Sequence, residues 1–277
     1  MKYKNSTKTW SFLLLLLAII LTVMPFIWIV ATSFKDFISI MSSKFFFSPT
    51  LENYTNLLAG RDSEYPRFLL NSVIVSLSTT FISLVIGAMG SYSLARLPIP
   101  LKLDKILLGW LLVLRIIHPM AFALPFFMIM YKFGLYNTIY ALIFVYTAIN
   151  MPFTIWMMKG FFEEISEEIE ESAMIDGCSR FKVFSRIALP LVAPGLTATA
   201  IFCFILAWNE FLIALILTSS PQSMTLPVGI ARLNQQYFVK WGEMSAAATV
   251  FTIPIFVFAS LVQRHLIRGM TFGAIKG

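Results

Sequence analysis

The side chains able to do chemistry are few, and their spacing excludes most reactions. The 277 residues hold two histidines, His118 and His265, and two cysteines, Cys178 and Cys203. There is no HExxH helix for zinc, no GxSxG nucleophile elbow and no GxxxxGK[ST] phosphate loop. The cysteines form no CxxC and have no histidine cluster near them, which suits small buried fillers rather than ligands. What remains is a set of polar groups inside apolar runs: Arg115 and His118, three apart and so on one helical face, then Asn150, then the adjacent pair Asn209 and Glu210. Such groups are costly at membrane depth unless they face a cavity or one another. Two readings stay open: the groups line a path for a polar solute, or they bond helix to helix and fix a bundle. Neighbours on a helix project about 100° apart, so Asn209 and Glu210 are expected to divide these roles. Asn209 both donates and accepts hydrogen bonds, which suits sugar hydroxyls. Glu210 calls for a fixed partner, and Arg115 is the cation within a span.

A second concentration of charge lies in water. Glu163, Glu164, Glu167, Glu168, Glu170, Glu171 and Asp176 are seven of the 14 acidic residues in the whole chain. Elsewhere the chain is apolar: 58% hydrophobic, 13% charged, with a mean hydropathy of +0.81. A soluble domain carries about 25% charged residues, so much of this surface must meet lipid. The net charge of +7 comes from Lys and Arg lying between apolar runs, a membrane-flank pattern rather than a nucleic-acid patch.

Six runs are long enough to span a bilayer, which takes roughly 20 apolar residues: 10–34, 68–95, 106–131, 133–158, 187–209 and 244–263. The first has too long an apolar core for a signal peptide, and no A-x-A site follows it. With the N-terminus inside, the inner segments carry 13 Lys and Arg and the outer segments 7, so both termini are expected in the cytoplasm. The acidic segment is then a cytoplasmic loop between the fourth and fifth spans. Ser83, Gly87 and Ser91 repeat at four residues, as close helix packing requires. Pro119, Pro125, Pro152 and Pro254 interrupt spans and can kink them.

The acidic loop reads as helix–turn–helix. Residues 161–175 have helical spacing, with Phe162, Ile165, Ile169 and Ala173 on one stripe. Gly177 suits the left-handed end of a helix. Ser179 suits the cap of a second one, with Phe181, Phe184, Ile187 and Ala188 on a face. Pro190 and Pro194 stop that helix. An amphipathic hairpin on the membrane surface is the bland alternative, but glutamates are repelled by anionic lipid, which favours a protein partner.

These residues carry a resemblance. Glu171-Ser172-Ala173, three residues, Gly177, nine residues, then Ile187-x-Leu189-Pro190 matches the EAA loop of ABC importer permeases, with Ser172 standing for alanine. "TSFK" at 32–35, "SPTLENYTNLL" at 48–58, "NSVIVS" at 71–76, "AWNEFLIALI" at 207–216, "TLPVGI" at 225–230 and the final 37 residues from "WGEMSAAATV" resemble carbohydrate permeases, above all the smaller, six-span permease of the maltose type. The resemblance implies an all-α integral membrane protein with six transmembrane helices in the type I importer fold (the ABC transmembrane type-1 domain). It implies a segment 1–67 holding the first span and an external loop, a core of 68–263 with the coupling loop 159–194 and the external loop 219–243, and a cytoplasmic tail, 264–277. By the same resemblance Glu171, Ser172, Ala173, Asp176, Gly177, Ile187, Leu189 and Pro190 dock an ATPase, and the tail residues Gly273, Lys276 and Gly277 contact it too. The implied partners are a second, different permease, two ATPase subunits, an extracytoplasmic solute-binding protein, membrane lipid and a carbohydrate, with no nucleic acid. ATP and Mg would be bound by the ATPase, leaving this chain no cofactor and no metal. The implied location is the inner membrane of a bacterial or archaeal cell. Asn150, Asn209 and Glu210 are the candidate substrate path, and Gln235, Gln236 and Tyr237 the candidate contact with the binding protein. A self-sufficient channel or ion-coupled carrier is the rival class. It predicts carboxylates in several spans, and Glu210 alone clearly offers one.

Overall fold

The computed structural model describes residues 3–61, 63–98, 100, 103–233 and 239–273. These residues form helices and turns, with no β-strand among them. The helices are α1 (Tyr3–Ser33), α2 (Phe37–Met41), α3 (Glu52–Ala59), α4 (Tyr65–Arg96), α5 (Leu103–Ile116), α6 (Met120–Lys132), α7 (Ile139–Glu163), α8 (Glu167–Ile175), α9 (Arg180–Val183), α10 (Leu189–Leu191), α11 (Ala193–Trp208), α12 (Leu212–Leu217), α13 (Leu226–Arg232) and α14 (Trp241–Gly273).

Four stretches are long and apolar enough to cross a bilayer as single helices: Trp10–Ser33, Tyr65–Arg96, Ile139–Glu163 and Trp241–Ser260. The other two expected spans are bent. α5 and α6 meet at 99°, and the helical stretch Arg180–Leu191 meets α11 at 77°. Counting each bent pair as one span gives six. Proline explains both breaks. Pro119 stands at the start of α6 and Pro194 in the first turn of α11, where a missing N–H costs nothing. The expected fifth span, 187–209, thus contains the second bend, between Leu191 and Ala193. Pro152 and Pro254, by contrast, sit inside continuous helices.

The chain divides into two compact units: residues 1–66 with 229–254, and residues 67–228 with 255–277. In the first, the Asn53 carboxamide donates to the carbonyls of Ser33 (2.9 Å) and Lys35 (2.8 Å), tying α3 to the end of α1. The Tyr65 hydroxyl donates to the Ala247 carbonyl at 2.8 Å. The buried Lys35 places its ammonium 4.4 Å from the Trp28 ring and 5.0 Å from that of Phe47, a cation–π arrangement.

The second unit is built on close helix contact. Ser83 and Ser91 are fully buried on α4, and a Cβ added at Gly87 between them would collide with Thr154 of α7. The four-residue repeat of small side chains thus does what its spacing predicts. Both cysteines are free, and the buried Cys203 of α11 packs against α7, sharing a hydrogen bond with Thr154 at 3.1 Å. At the end of these helices, Ala88, Met158, Phe162, Ala188 and Val192 form a buried cluster, with Tyr92, Ile165 and Phe184 against it. That cluster is the floor on which the acidic segment rests.

Candidate functional site

α7 runs through Phe162 to Glu163, so the expected helix at 161–175 is two helices. The chain turns at 164–166 and restarts as α8. α8 ends as its sequence predicts. Asp176 is the C-cap and Gly177 takes φ +87°. The Cys178 N–H reaches the Ala173 carbonyl at 3.0 Å and the Gly177 N–H that of Met174 at 3.0 Å, the bond pair of a Schellman turn. A Cβ at Gly177 would meet nothing within 4 Å, so its backbone conformation, not space, demands glycine. Ser179 then caps α9, accepting from the Lys182 N–H at 3.4 Å.

The expected apolar faces are only partly right. In α8 the buried residue is Glu170, 3% exposed, while Ile169 of the stripe faces outward. Glu170 has a partner from far along the chain. The Arg96 Nε donates to its Oε1 at 2.9 Å, and the Tyr92 hydroxyl donates to its Oε2 at 2.6 Å. Arg96 also donates to the carbonyls of Phe162 (2.7 Å), at the end of α7, and Ile165 (2.8 Å), in the turn that follows. One guanidinium thus clamps α7 and α8 to the end of α4. In the second helix Val183 is buried and Phe181 is 68% exposed. The chain widens to a π-turn over Phe184–Ala188. Pro190 follows two residues on; it lacks an N–H and crowds the carbonyl of Arg186, and the wider turn relieves this.

The candidate docking residues therefore fall into two groups. Glu171, Ser172, Asp176 and Gly177 are exposed at the tip, with Ser172 Oγ bonded back to the Glu168 carbonyl at 2.7 Å. Ala173, Ile187 and Leu189 are half-buried on the floor side, and Pro190 is exposed at the restart. Beside the tip stand two exposed apolar side chains: Ile175, which sequence reasoning did not single out, at 86% exposure, and Phe181, expected on the apolar face of the second helix, at 68%.

A cavity of about 470 Å³ lies in the same unit, lined by the end of α5, by α6 and α7, and by residues 206–210. Asn150 and Glu210 line it together with Arg115. Asn209 does not; it is exposed, its amide bonded back to the Ile205 carbonyl at 2.8 Å. Glu210 has a fixed partner, but not Arg115. Its two carboxylate oxygens accept the N–H groups of Ile213 (2.9 Å) and Ala214 (3.1 Å), capping α12 where the fifth span breaks. Arg115 lies over the Phe153 ring, 4.5 Å from its centroid, and no ion pair joins it to Glu210 among the described residues. His118 is outside the helical face of Arg115, because α5 ends at Ile116; its Nδ1 accepts the Met120 N–H at 3.2 Å. Irregular backbone at membrane depth persists only where it is buried in protein or lines a cavity, and this break does line one.

The loop expected at 219–243 begins on a polar knot. Asn137 Oδ1 accepts from the N–H groups of Ser219 (2.9 Å) and Ser220 (3.0 Å) and from the Ser223 hydroxyl (2.6 Å). Asn71 donates to the Met224 carbonyl at 2.8 Å. Gln235, Gln236, Tyr237, Lys276 and Gly277 lie outside the described residues; Gly273 ends α14.

The profile of a family described as "Binding-protein-dependent transport system inner membrane component" matches residues 87–272. The trehalose/maltose transport system permease protein MalG of Thermococcus litoralis is 34% identical over 264 residues, covering 95% of this chain and 94% of that protein. The trehalose transport system permease protein SugB of Mycobacterium tuberculosis is 36% identical, covering 92% of each chain. Among solved structures, a chain of a bacterial ABC transporter that imports the polysaccharide alginate superposes with a TM-score of 0.82 at 19% identity, covering 95% of this chain and 98% of that one.

Proposed function

This chain belongs to the family of binding-protein-dependent transport system inner membrane components, and from that premise we propose how it transports. It is a permease subunit of an ABC importer, with the type I importer fold. Its substrate is a sugar or related polyol, as the names of the trehalose and maltose relatives suggest. It forms one half of the path beside a second, different permease, in the inner membrane with both termini in the cytoplasm. Two ATPase subunits bind ATP and Mg, and a solute-binding protein docks outside against the loop holding Gln235, Gln236 and Tyr237. Gly273, Lys276 and Gly277 reach toward the ATPases. Asn150 and Glu210 form the wall of the path. Asn209, exposed at the same break, meets sugar only from outside the cavity.

Residues 159–194 are the coupling segment. One observation carries this: Ile175 and Phe181 stand 86% and 68% exposed on either side of the left-handed turn at Gly177, while the same segment is fastened behind by the buried Glu170. A segment built for water alone would not hold apolar side chains out on a rigid mount. An ATPase cleft that covers them gains burial and inherits the mount, so closure of the ATPase pair moves the ends of α4 and α7 directly. Co-purification from native membranes tests the reading. Wild-type chain should bring down an ATPase subunit, and Ile175→Asp with Phe181→Asp should lose it while remaining inserted. Retention of the ATPase by that variant would contradict the assignment.

A further inference from the structure

We propose that the cavity between α5, α6, α7 and the broken fifth span is a binding station for one ring of a neutral sugar, read by Asn150, Tyr146 and Arg115. This rests on the importer reading and deepens it, since it makes the chain a selector of its cargo rather than only a wall. The volume, about 470 Å³, falls in the range of small-molecule pockets, roughly 300–1,000 Å³. One polar atom on its wall lacks a partner within the protein. Asn150 is 3% exposed, and its Oδ1 has no hydrogen-bond partner. The Tyr146 hydroxyl is also buried and faces the Glu210 carboxylate, at the limit of a hydrogen bond. Buried polar atoms are nearly always paired, and each exception calls for a reason. The orphaned Asn150 oxygen on the wall of a cavity points to a ligand that completes it.

The charges select the class. Arg115 has an aromatic face beneath it and no ion pair among the described residues, so its N–H groups remain as donors. Glu210 stands in the same cavity with its oxygens on the N–H groups of α12. An acidic sugar would gain from Arg115 and lose against Glu210. Asn150 Oδ1 needs a donor, which a carboxylate or sulfonate lacks. A hydroxyl serves every group: it donates to Asn150, accepts from Arg115, and does either with Tyr146. The C–H face of the ring fits the apolar remainder of the wall, Phe153 among it.

The test uses the complete purified complex without its binding protein, so that affinity reports the membrane subunits. Saturation-transfer NMR titrations with trehalose and maltose as neutral probes, and sulfoquinovosyl glycerol as an acidic one, give the dissociation constants. Saturable binding of a neutral sugar is expected, and Asn150→Leu and Tyr146→Phe should each weaken it about tenfold while the complex assembles in normal amount. Unchanged affinity in both assembled variants overturns the proposal, as does the absence of any binding to wild type. Tighter binding of the acidic sugar than of either neutral one overturns the class. Sugar uptake by wild-type proteoliposomes with ATP and binding protein is scored separately: uptake without these effects sinks the site alone, and absence of all ATP-driven sugar uptake sinks the importer reading.

Discussion

Removing Arg96 should loosen the coupling segment without touching its docking tip. Arg96 and Glu170 side chains are 8% and 4% exposed and 2.9 Å apart, so solvent screens their attraction little. Truncating one partner of such a pair costs about 3–5 kcal/mol, mostly because the other charge stays buried alone. Arg96→Ala leaves Glu170 with the Tyr92 hydroxyl and removes a charged donor from the Phe162 and Ile165 carbonyls, so it belongs at the upper end. Glu170→Ala leaves Arg96 bonded to those two carbonyls and should cost less, about 2–3 kcal/mol. The bond from Arg96 to Glu167, at 3.7 Å with Glu167 69% exposed, adds little. Hydrogen exchange on the complete complex in lipid reads the effect locally. Amides of α8 should exchange on the order of a thousandfold faster in Arg96→Ala than in wild type, since each ~1.4 kcal/mol is tenfold. Binding-protein-stimulated ATP hydrolysis should fall with it. The double variant Arg96→Met/Glu170→Met should recover much of the protection, because an apolar pair leaves no orphaned charge. Exchange within about threefold of wild type in Arg96→Ala would refute the clamp.

Gly177→Val should abolish uptake with the chain still inserted, because a side chain at φ +87° costs about 1–2 kcal/mol and unwinds the Schellman turn; normal labelled-sugar uptake would remove the basis for this turn's role. Glu210→Ala should reduce assembled complex by freeing the cap of α12, a loss of about 1–2 kcal/mol, and Arg115→Ala should add to it independently, so a non-additive double-mutant cycle on complex stability would restore the pairing that the structure lacks. Replacing Gln235, Gln236 and Tyr237 by alanine should weaken stimulation by loaded binding protein while basal ATP hydrolysis holds, and equal loss of both would indicate misfolding. Asn137→Ala, which strips three acceptor bonds from Ser219, Ser220 and Ser223, should raise protease sensitivity at 218–224 in intact complex; unchanged cleavage would show the knot is not what holds that turn.

Much of this was legible where local rules decide. The end of α8 at Gly177, the cap at Ser179, the small-residue face of α4 and the apolar runs all follow from spacing within a few residues. The misses share a cause: the deciding partner lies far along the chain. Glu170 is one glutamate among six until Arg96, 74 residues away, draws it inward and turns Ile169 out. Phe181 and Val183 exchanged faces because the π-turn at Phe184–Ala188 changes the helical phase, and periodicity assumes a constant one. Glu210 found backbone N–H groups because the fifth span breaks after Trp208, and its neighbouring sequence, "AWNEFLIALI", contains no proline or glycine to announce the break. Arg115 and His118 looked like one face only while α5 was taken to continue past Ile116.

The most direct test of the coupling claim is a disulfide between the exposed tip and the ATPase. With Cys178 and Cys203 replaced by alanine, a cysteine at Ile175 in the complete complex should cross-link under mild oxidation to a cysteine in the cleft of the ATPase subunit, and the link should stop ATP-driven uptake until reduced. Cross-linking of Ile175→Cys instead to reagents or proteins confined to the outside of the cell would contradict the orientation and the coupling role together.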